Sequence, residues 1–195
     1  MPKERLLQYI TNCKDTKRIY MQIAMQCAPL LKGLKEACIC IVPNQICGDI
    51  IDQMDEINIR CLELYQGQDR SIIYLYKKEL LLEYLSNNEV QDFLLEYGYS
   101  TNDFDQNLIR LSLRMEAYYG KKVEFPHEIG AFLGYPIKDV KGFIKNKGQN
   151  YLLSGYWKVY QDKQKSRNTF KAFDRAKEIA AKEILLGKRL SELIV

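Results

Sequence analysis

The feature that most restricts how this chain can fold is a change in the period of its apolar residues near residue 79. Upstream, ACICIVP (37–43) is a short apolar run stopped by proline. NIRCLELYQ (58–66) and DRSIIYLYK (69–77) are two β-rich runs separated by Gly67 and Gln68. Runs of this length with a turn residue between them predict a buried strand followed by a hairpin. In the first arm of the hairpin Leu62 and Leu64 share one side and Cys61, Glu63 and Tyr65 the other. Burying a carboxylate is costly, so the leucine side is expected to face the core. Downstream, ELLLEYLSN, EVQDFLLEYG and DFDQNLIRLSLRMEAYYG space their apolar residues by three and four, which predicts three helices stopped at Gly98 and Gly120. Asn102 or Asp103 is placed to cap the third, whose inner stripe is Leu108, Leu111 and Met115.

The flanking segments complete the set. ERLLQYITNCKDTKRIYMQIAMQCAPLLKGL reads as helical, with Ile19, Ile23 and Cys27 spaced by four, and Pro29 is expected to break or kink it. YLLSGYWKVYQD (151–162) predicts a strand or a tight hairpin turning at Ser154 and Gly155. A long basic amphipathic helix follows, with Phe173, Ala176, Ala180 and Ile184 along one stripe. The expected architecture is a single α+β domain over 1–195: a small, mainly antiparallel sheet with helices covering one face, including a helix-turn-helix-like pair at 126–147. An apolar fraction of 47% in 195 residues is enough to build a real core. No run approaches the ~20 apolar residues of a membrane span, and MPKERLLQYI carries charges where a signal peptide needs its apolar segment. The chain is therefore read as cytoplasmic. Its six cysteines (Cys13, Cys27, Cys38, Cys40, Cys47 and Cys61) are read as reduced thiols.

Charge is unevenly distributed. Residues 1–120 hold 13 of the 29 Lys and Arg and 17 of the 25 Asp and Glu, which leaves 16 basic against 8 acidic side chains in 121–195. A basic final third fits a solvated helix face, attraction between the two parts of the chain, or contact with an anion such as nucleic acid.

The densest punctuation lies in FPHEIGAFLGYPIKDVKGFIKNKG (125–148), which holds the only histidine, four of the eleven glycines and two of the five prolines. Gly134 suits a left-handed helix end and Pro136 a helix start, so GYP reads as a turn between a helix near 126–133 and another near 137–147. Gly130 and Gly142 fall inside these helices, where glycine costs about 1 kcal/mol relative to alanine. Close approach of a backbone or a ligand is the expected compensation. The same spacing fits a helix-turn-helix, whose second helix would offer Lys138, Asp139, Lys141 and Lys145 to a major groove. His127 falls at the start of the first helix, where the dipole favours a neutral imidazole able to bind a metal or polarise a carbonyl. A lone histidine there is more often a hydrogen-bonded structural residue, and Glu128 suits the positive helix end. No C-x-x-C pair and no second histidine one turn on support a zinc framework. His127 and Cys27, the latter beside the Pro29 break, are the remaining candidate metal ligands. In GYWKVY (155–160) strand geometry sends Trp157 and Val159 one way and Tyr156, Lys158 and Tyr160 the other. An aromatic and lysine surface of this kind stacks a flat anionic ligand, or forms half of a core. No P-loop, G-x-G-x-x-G, G-x-S-x-G or kinase signature is present, so nucleotide chemistry has no support.

CAP at 27–29, FPHEIGAFLGYP at 125–136, DVKGFI at 139–144 and GYWKVY at 155–160 closely resemble a family of small bacterial proteins, mostly of anaerobes. That family is catalogued as a domain of unknown function, series thirty-seven ninety-three. The resemblance implies no activity and no cofactor. It does imply that Cys27, His127, Glu128, Tyr135, Tyr156, Trp157 and Lys158 lie on shared elements and are the candidate ligand-binding residues. Three functions are open to such a chain. One is a pocket for a small anionic, aromatic or metal-containing ligand, tied to redox or metal metabolism and with or without turnover. The others are nucleic-acid binding through Lys138, Lys141, Lys145 and the basic tail, and a protein-interaction module.

Overall fold

The computed structural model describes residues 15–194; Cys13 and the first part of the expected N-terminal helix lie outside them. Three strands form the central sheet. β1 (Ala37–Pro43), β2 (Arg60–Gln66) and β3 (Arg70–Tyr76) pair antiparallel in the order β1-β3-β2, with β3 in the centre. The hairpin turn closes with Gly67 N–H donating to Arg70 O at 2.9 Å, and Asn44 Nδ2 clamps it from outside by donating to Gly67 O and Gln68 O. A bulge between Glu63 and Tyr65 interrupts the β2 ladder. Leu64 is buried and Glu63 exposed, as the charge argument requires.

Helices cover both faces of this sheet, where the sequence reading expected one. Strand alternation sends Cys38, Cys40, Val42, Ile73 and Leu75 to one side, into a core with α1 (Asp15–Leu31), α2 (Cys47–Asp55) and α8 (Lys163–Leu185). Ala37, Ile39, Leu62, Tyr74 and Tyr76 go to the other, into a core with α3 (Lys78–Leu85), α4 (Asn88–Glu96), α5 (Phe104–Tyr119), α6 (Ile129–Phe132) and α7 (Ile137–Lys145). The reason is visible in β3: SIIYLY has no polar alternation after Ser71, the pattern of a strand buried on both sides. A two-strand hairpin, β4 (Leu153–Ser154) and β5 (Lys158–Val159), stands apart from the main sheet.

Most helices start and stop where the residue chemistry places them. Asp103 Oδ1 caps α5 by accepting from Gln106 N at 2.8 Å, and Asp162 Oδ1 caps α8 by accepting from Lys165 N at 3.0 Å. Pro29 does not break α1. The helix runs on to Leu31 because Met21, Ile23, Ala24, Cys27, Ala28 and Leu30 are buried between β1 and α8, which outweighs one lost backbone bond. It ends instead at Gly33, whose φ is +66°. α2 has no counterpart in the sequence reading; its buried side is short, Ile50, Gln53 and Met54, with only two apolar residues one turn apart to mark it.

The GYP turn is held from the second core. Gly134 takes φ +67°, as its left-handed role requires. Two phenols then satisfy carbonyls that the short α6 leaves free: Tyr74 donates to Phe132 O and Tyr84 to Tyr135 O, both at 2.5 Å. Replacing Tyr74 by Phe strands a buried carbonyl, so Tyr74→Phe is expected to lower the unfolding free energy by about 1–2 kcal/mol. Urea denaturation checks this, and an unchanged midpoint would show that the turn is held without the phenol.

Candidate functional site

The helix pair is smaller than the spacing suggested. α6 is a single turn, so His127 lies two residues ahead of it and the dipole invoked for His127 is that of one turn only. The corner remains tight. A Cβ on Gly130 would lie 3.0 Å from Val140 Cγ2, and one on Gly142 would lie 2.5 Å from Tyr160 Cγ. Both mid-helix glycines are thus explained by close approach, Gly130 between the two helices and Gly142 against the hairpin.

Asp139 explains why the hairpin comes so close. Its buried carboxylate accepts from Trp157 Nε1 at 2.7 Å, Tyr160 N at 2.7 Å and Gln161 N at 2.9 Å. Asp139 and Gly142 are three apart and share a face of α7: the carboxylate binds the hairpin backbone and the missing side chain leaves room for the Tyr160 ring. The helix-turn-helix alternative would have offered Asp139 to a major groove, and no sequence reading placed it inside. The only available signal was the unexplained Gly142 one turn beyond an acid.

The docked hairpin completes a cleft of about 260 Å³. Its walls are rings: Phe125, His127, Tyr135, Phe143 and Trp157, with Lys158 among them. The His127 ring is exposed and lies between Phe125 and Phe143, with centroids at 5.3 and 5.0 Å, and Tyr135 faces Trp157 at 5.2 Å. Ile39 from β1, with Ile129, Leu133 and Val140, also lines it. Lys158 Nζ donates to Gly148 O at 2.6 Å and lies over the Tyr151 and Phe143 rings at 5.0 and 5.6 Å. Burial pushes the Tyr135 phenol up to about 12, so it is a neutral wall at physiological pH.

Of the seven candidate residues, the structure brings His127, Tyr135, Trp157 and Lys158 together and places three elsewhere. Glu128 is buried beneath the corner, where Oε1 accepts from Arg114 Nε and, at 3.2 Å, from Tyr99 Oη; Oε2 has no partner among the described residues. Tyr156 does not alternate with Trp157, because both belong to the turn and both pack on Phe170 and Phe173 of α8. Its hydroxyl donates to Asp174 Oδ1 at 2.8 Å. Cys27 lies in the opposite core: Ile39 lines the cleft, and its neighbours Cys38 and Cys40 point through the sheet toward Cys27. The neighbouring thiols of Cys38 and Cys40, together with full burial, push the Cys27 thiol well above its ordinary range, so it is no nucleophile there. Among the described residues no three His, Cys, Asp or Glu side chains are grouped to hold a metal ion.

The lysines of the helix-turn-helix reading are differently occupied. Lys138 and Lys145 are exposed on α7, while Lys141 pairs with Glu89 at 3.9 Å and lies 5.9 Å over the Phe93 ring. Among the described residues no helix is long and apolar enough to cross a membrane.

Residues 23–194 match the family described as Protein of unknown function (DUF3793), and the chain belongs to that family. No curated protein and no solved structure matches it.

The Asp139–Gly142 notch generates two expectations. Gly142→Ala forces Tyr160 outward and should destabilise by about 1–3 kcal/mol, as overpacked sites do. Gly48→Ala, which meets nothing within 4 Å on helix α2, serves as the matched control. Asp139→Asn removes the charge from three converging donors and should loosen the hairpin. Because Trp157 is the only tryptophan, a red-shifted emission maximum in the folded variant reports that loosening directly; an unshifted spectrum would mean that other contacts hold the hairpin.

Proposed function

We propose that the cleft between α6, α7 and the 153–159 hairpin binds a small, flat, largely apolar ligand carrying an anionic group. One observation supports the reading above the others: five aromatic or imidazole rings surround an open volume of about 260 Å³ instead of closing on one another. Packed interiors leave few such spaces, and clefts lined mainly by rings with a few polar groups are the usual form of a small-molecule site. Trp157 and Tyr135 form one aromatic wall and Phe143 another, so a planar group is the shape that fills the space between them.

Polarity supports the rest of the assignment. Lys158 uses one donor on Gly148 O, which leaves ammonium hydrogens for an acidic substituent. The exposed His127 ring also lies at the cleft, where it can meet a polar part of the ligand. Ligand capture without chemistry is the function this arrangement supports best, since Cys27 lies across the sheet and Glu128 is engaged with Arg114 and Tyr99.

Titration with 2-naphthoate, followed through the emission of Trp157, tests this. The acid should quench Trp157 saturably, with Phe143→Ala weakening it about tenfold or more through the lost ring contact. Lys158→Met should weaken naphthoate while leaving neutral naphthalene unaffected. Absence of saturable quenching by either compound in the wild-type protein would overturn the assignment.

A further inference from the structure

A row of rings continues out of the aromatic cleft and across the surface. Tyr65 of β2 stacks on Tyr119 of α5, with centroids 4.3 Å apart and planes 20° from parallel. Tyr119 meets Tyr118 at 5.1 Å, Tyr118 meets Phe125 at 5.1 Å, Phe125 meets His127 at 5.3 Å, and His127 meets Phe143 of α7 at 5.0 Å. A strand, two helices and the connection between them thus contribute to one unbroken series. None of these rings is buried: Tyr119 and His127 are exposed and the others half-buried. After the first pair every contact is tilted or edge-on, with planes 57° to 86° apart, so the rings do not cover one another's faces as a closed stack would. Large rings gain most from burial. Rings held at the surface in mutual contact, on elements anchored in the core, are what a stacking platform requires.

The chain around the row is basic. Residues 116–158 hold seven lysines against four acids, and two of those acids, Glu128 and Asp139, are buried and already accept from Arg114 and Tyr99 or from the hairpin. Lys141 pairs with Glu89 at 3.9 Å, and Lys138 shares a cleft with Glu36. That leaves Lys121, Lys122, Lys145, Lys147 and Lys158 against Glu116 and Glu124. None of these five lysines forms an ion pair among the described residues. Lys121 and Lys122 belong to the connection from Tyr119 to Phe125, Lys145 and Lys147 follow Phe143 at the end of α7, and Lys158 Nζ lies 5.6 Å over the Phe143 ring. At the other end of the row, the bulge between Glu63 and Tyr65 turns Tyr65 toward α5, while Glu63 stays near Cys47.

We infer that this row binds a single strand of nucleic acid, its bases stacking on the rings and its phosphates meeting the lysines at 121–122, at the end of α7 and at 158. A single strand is the polymer that offers flat faces and regular negative charge together. A duplex hides its base faces, and a neutral sugar chain leaves the lysines without a role. The inference takes in the aromatic cleft and rests on the reading that its rings accept a flat anionic group, here one nucleotide of the strand. Tyr65, Tyr119, Lys121 and Lys122 do not line that cleft, so the two readings can fail separately.

A fluorescein-labelled oligothymidylate of about twelve nucleotides is the probe, followed by anisotropy at low salt. The wild-type protein should bind it saturably, with log affinity falling against log salt at a slope of about −3, near 0.7 for each phosphate neutralised. An abasic strand of equal length keeps the phosphates and should bind about tenfold more weakly or worse. Lys121→Glu together with Lys122→Glu alters two exposed side chains; the pair should weaken binding about tenfold and make the salt slope shallower by about 1. Lys171→Glu with Arg175→Glu, exposed on α8, reverses the same charge elsewhere and should change neither. Tyr119→Ala should weaken the strand about tenfold while leaving the quenching of Trp157 by 2-naphthoate unchanged. Equal affinity for the abasic strand, or equal loss in the two charge-reversed pairs, would leave only general charge attraction and overturn the inference. Displacement of the strand by neutral cellohexaose would assign the rings to sugars and overturn it too. Saturable naphthoate quenching with no strand binding would overturn this inference alone, and the cleft reading would stand.

Discussion

Everything at the functional corner depends on where one carboxylate is buried. Asp139 comes from the first turn of α7 and accepts from an indole N–H and two successive backbone N–H groups of the hairpin segment. An aspartate removed from water is tolerable only when donors converge on it, and here all three belong to a segment with almost no regular structure of its own: β4 and β5 are two residues each. Take that anchor away and Trp157 loses its orientation. Trp157 lines the aromatic cleft and a second cleft of about 610 Å³ bordered by residues 34–36 and the first turns of α7 and α8, so both depend on the same bond.

The sheet plays the opposite part, as a partition. Because β1 is a strand, its side chains alternate, and Ile39 enters the aromatic cleft while Cys38 and Cys40 join Cys27 beneath α1. Cys27, Cys38 and Cys40 are buried together on one face, where they act as small apolar side chains. The aromatic rings and the histidine lie on the other. A second buried acid works on the ring side: Glu128, joined to Arg114 of α5 and to Tyr99, ties the start of the 126–147 corner to the α5 layer. Two acids in the same short stretch thus fix its two ends, Glu128 against the core helices and Asp139 against the hairpin.

The two clefts differ in what surrounds them. The first is ringed by aromatic side chains with one ammonium already partly engaged. The second is lined by charges of both signs, Lys35, Lys138 and Lys165 with Glu36, Glu89, Asp139 and Asp162. Trp157 lines the first with its flat face against Tyr135, and its ring packs edge-on against Phe170 of α8. An indole held on one edge by a carboxylate and on another side by a phenyl ring is a rigid wall, which lets two clefts of different character share one side chain.

What the sequence determined by itself was whatever rests on neighbours along the chain. The hairpin at Gly67, the caps at Asp103, the left-handed Gly134 and the inner stripe of α8 are local, because turn chemistry and helical period act over a few residues. The grouping of His127, Tyr135, Trp157 and Lys158 was also within reach, since each lies on a short element rich in glycine or aromatic residues. Only the tertiary structure decided that Pro29 stays inside a helix, that both faces of the sheet are covered, that Cys27 is walled off from His127, and that Asp139 is an interior group. Each of these turns on what an element is packed against. Burial and charge pairing between residues far apart in sequence leave no periodic trace, and the mid-helix glycines were their single visible sign.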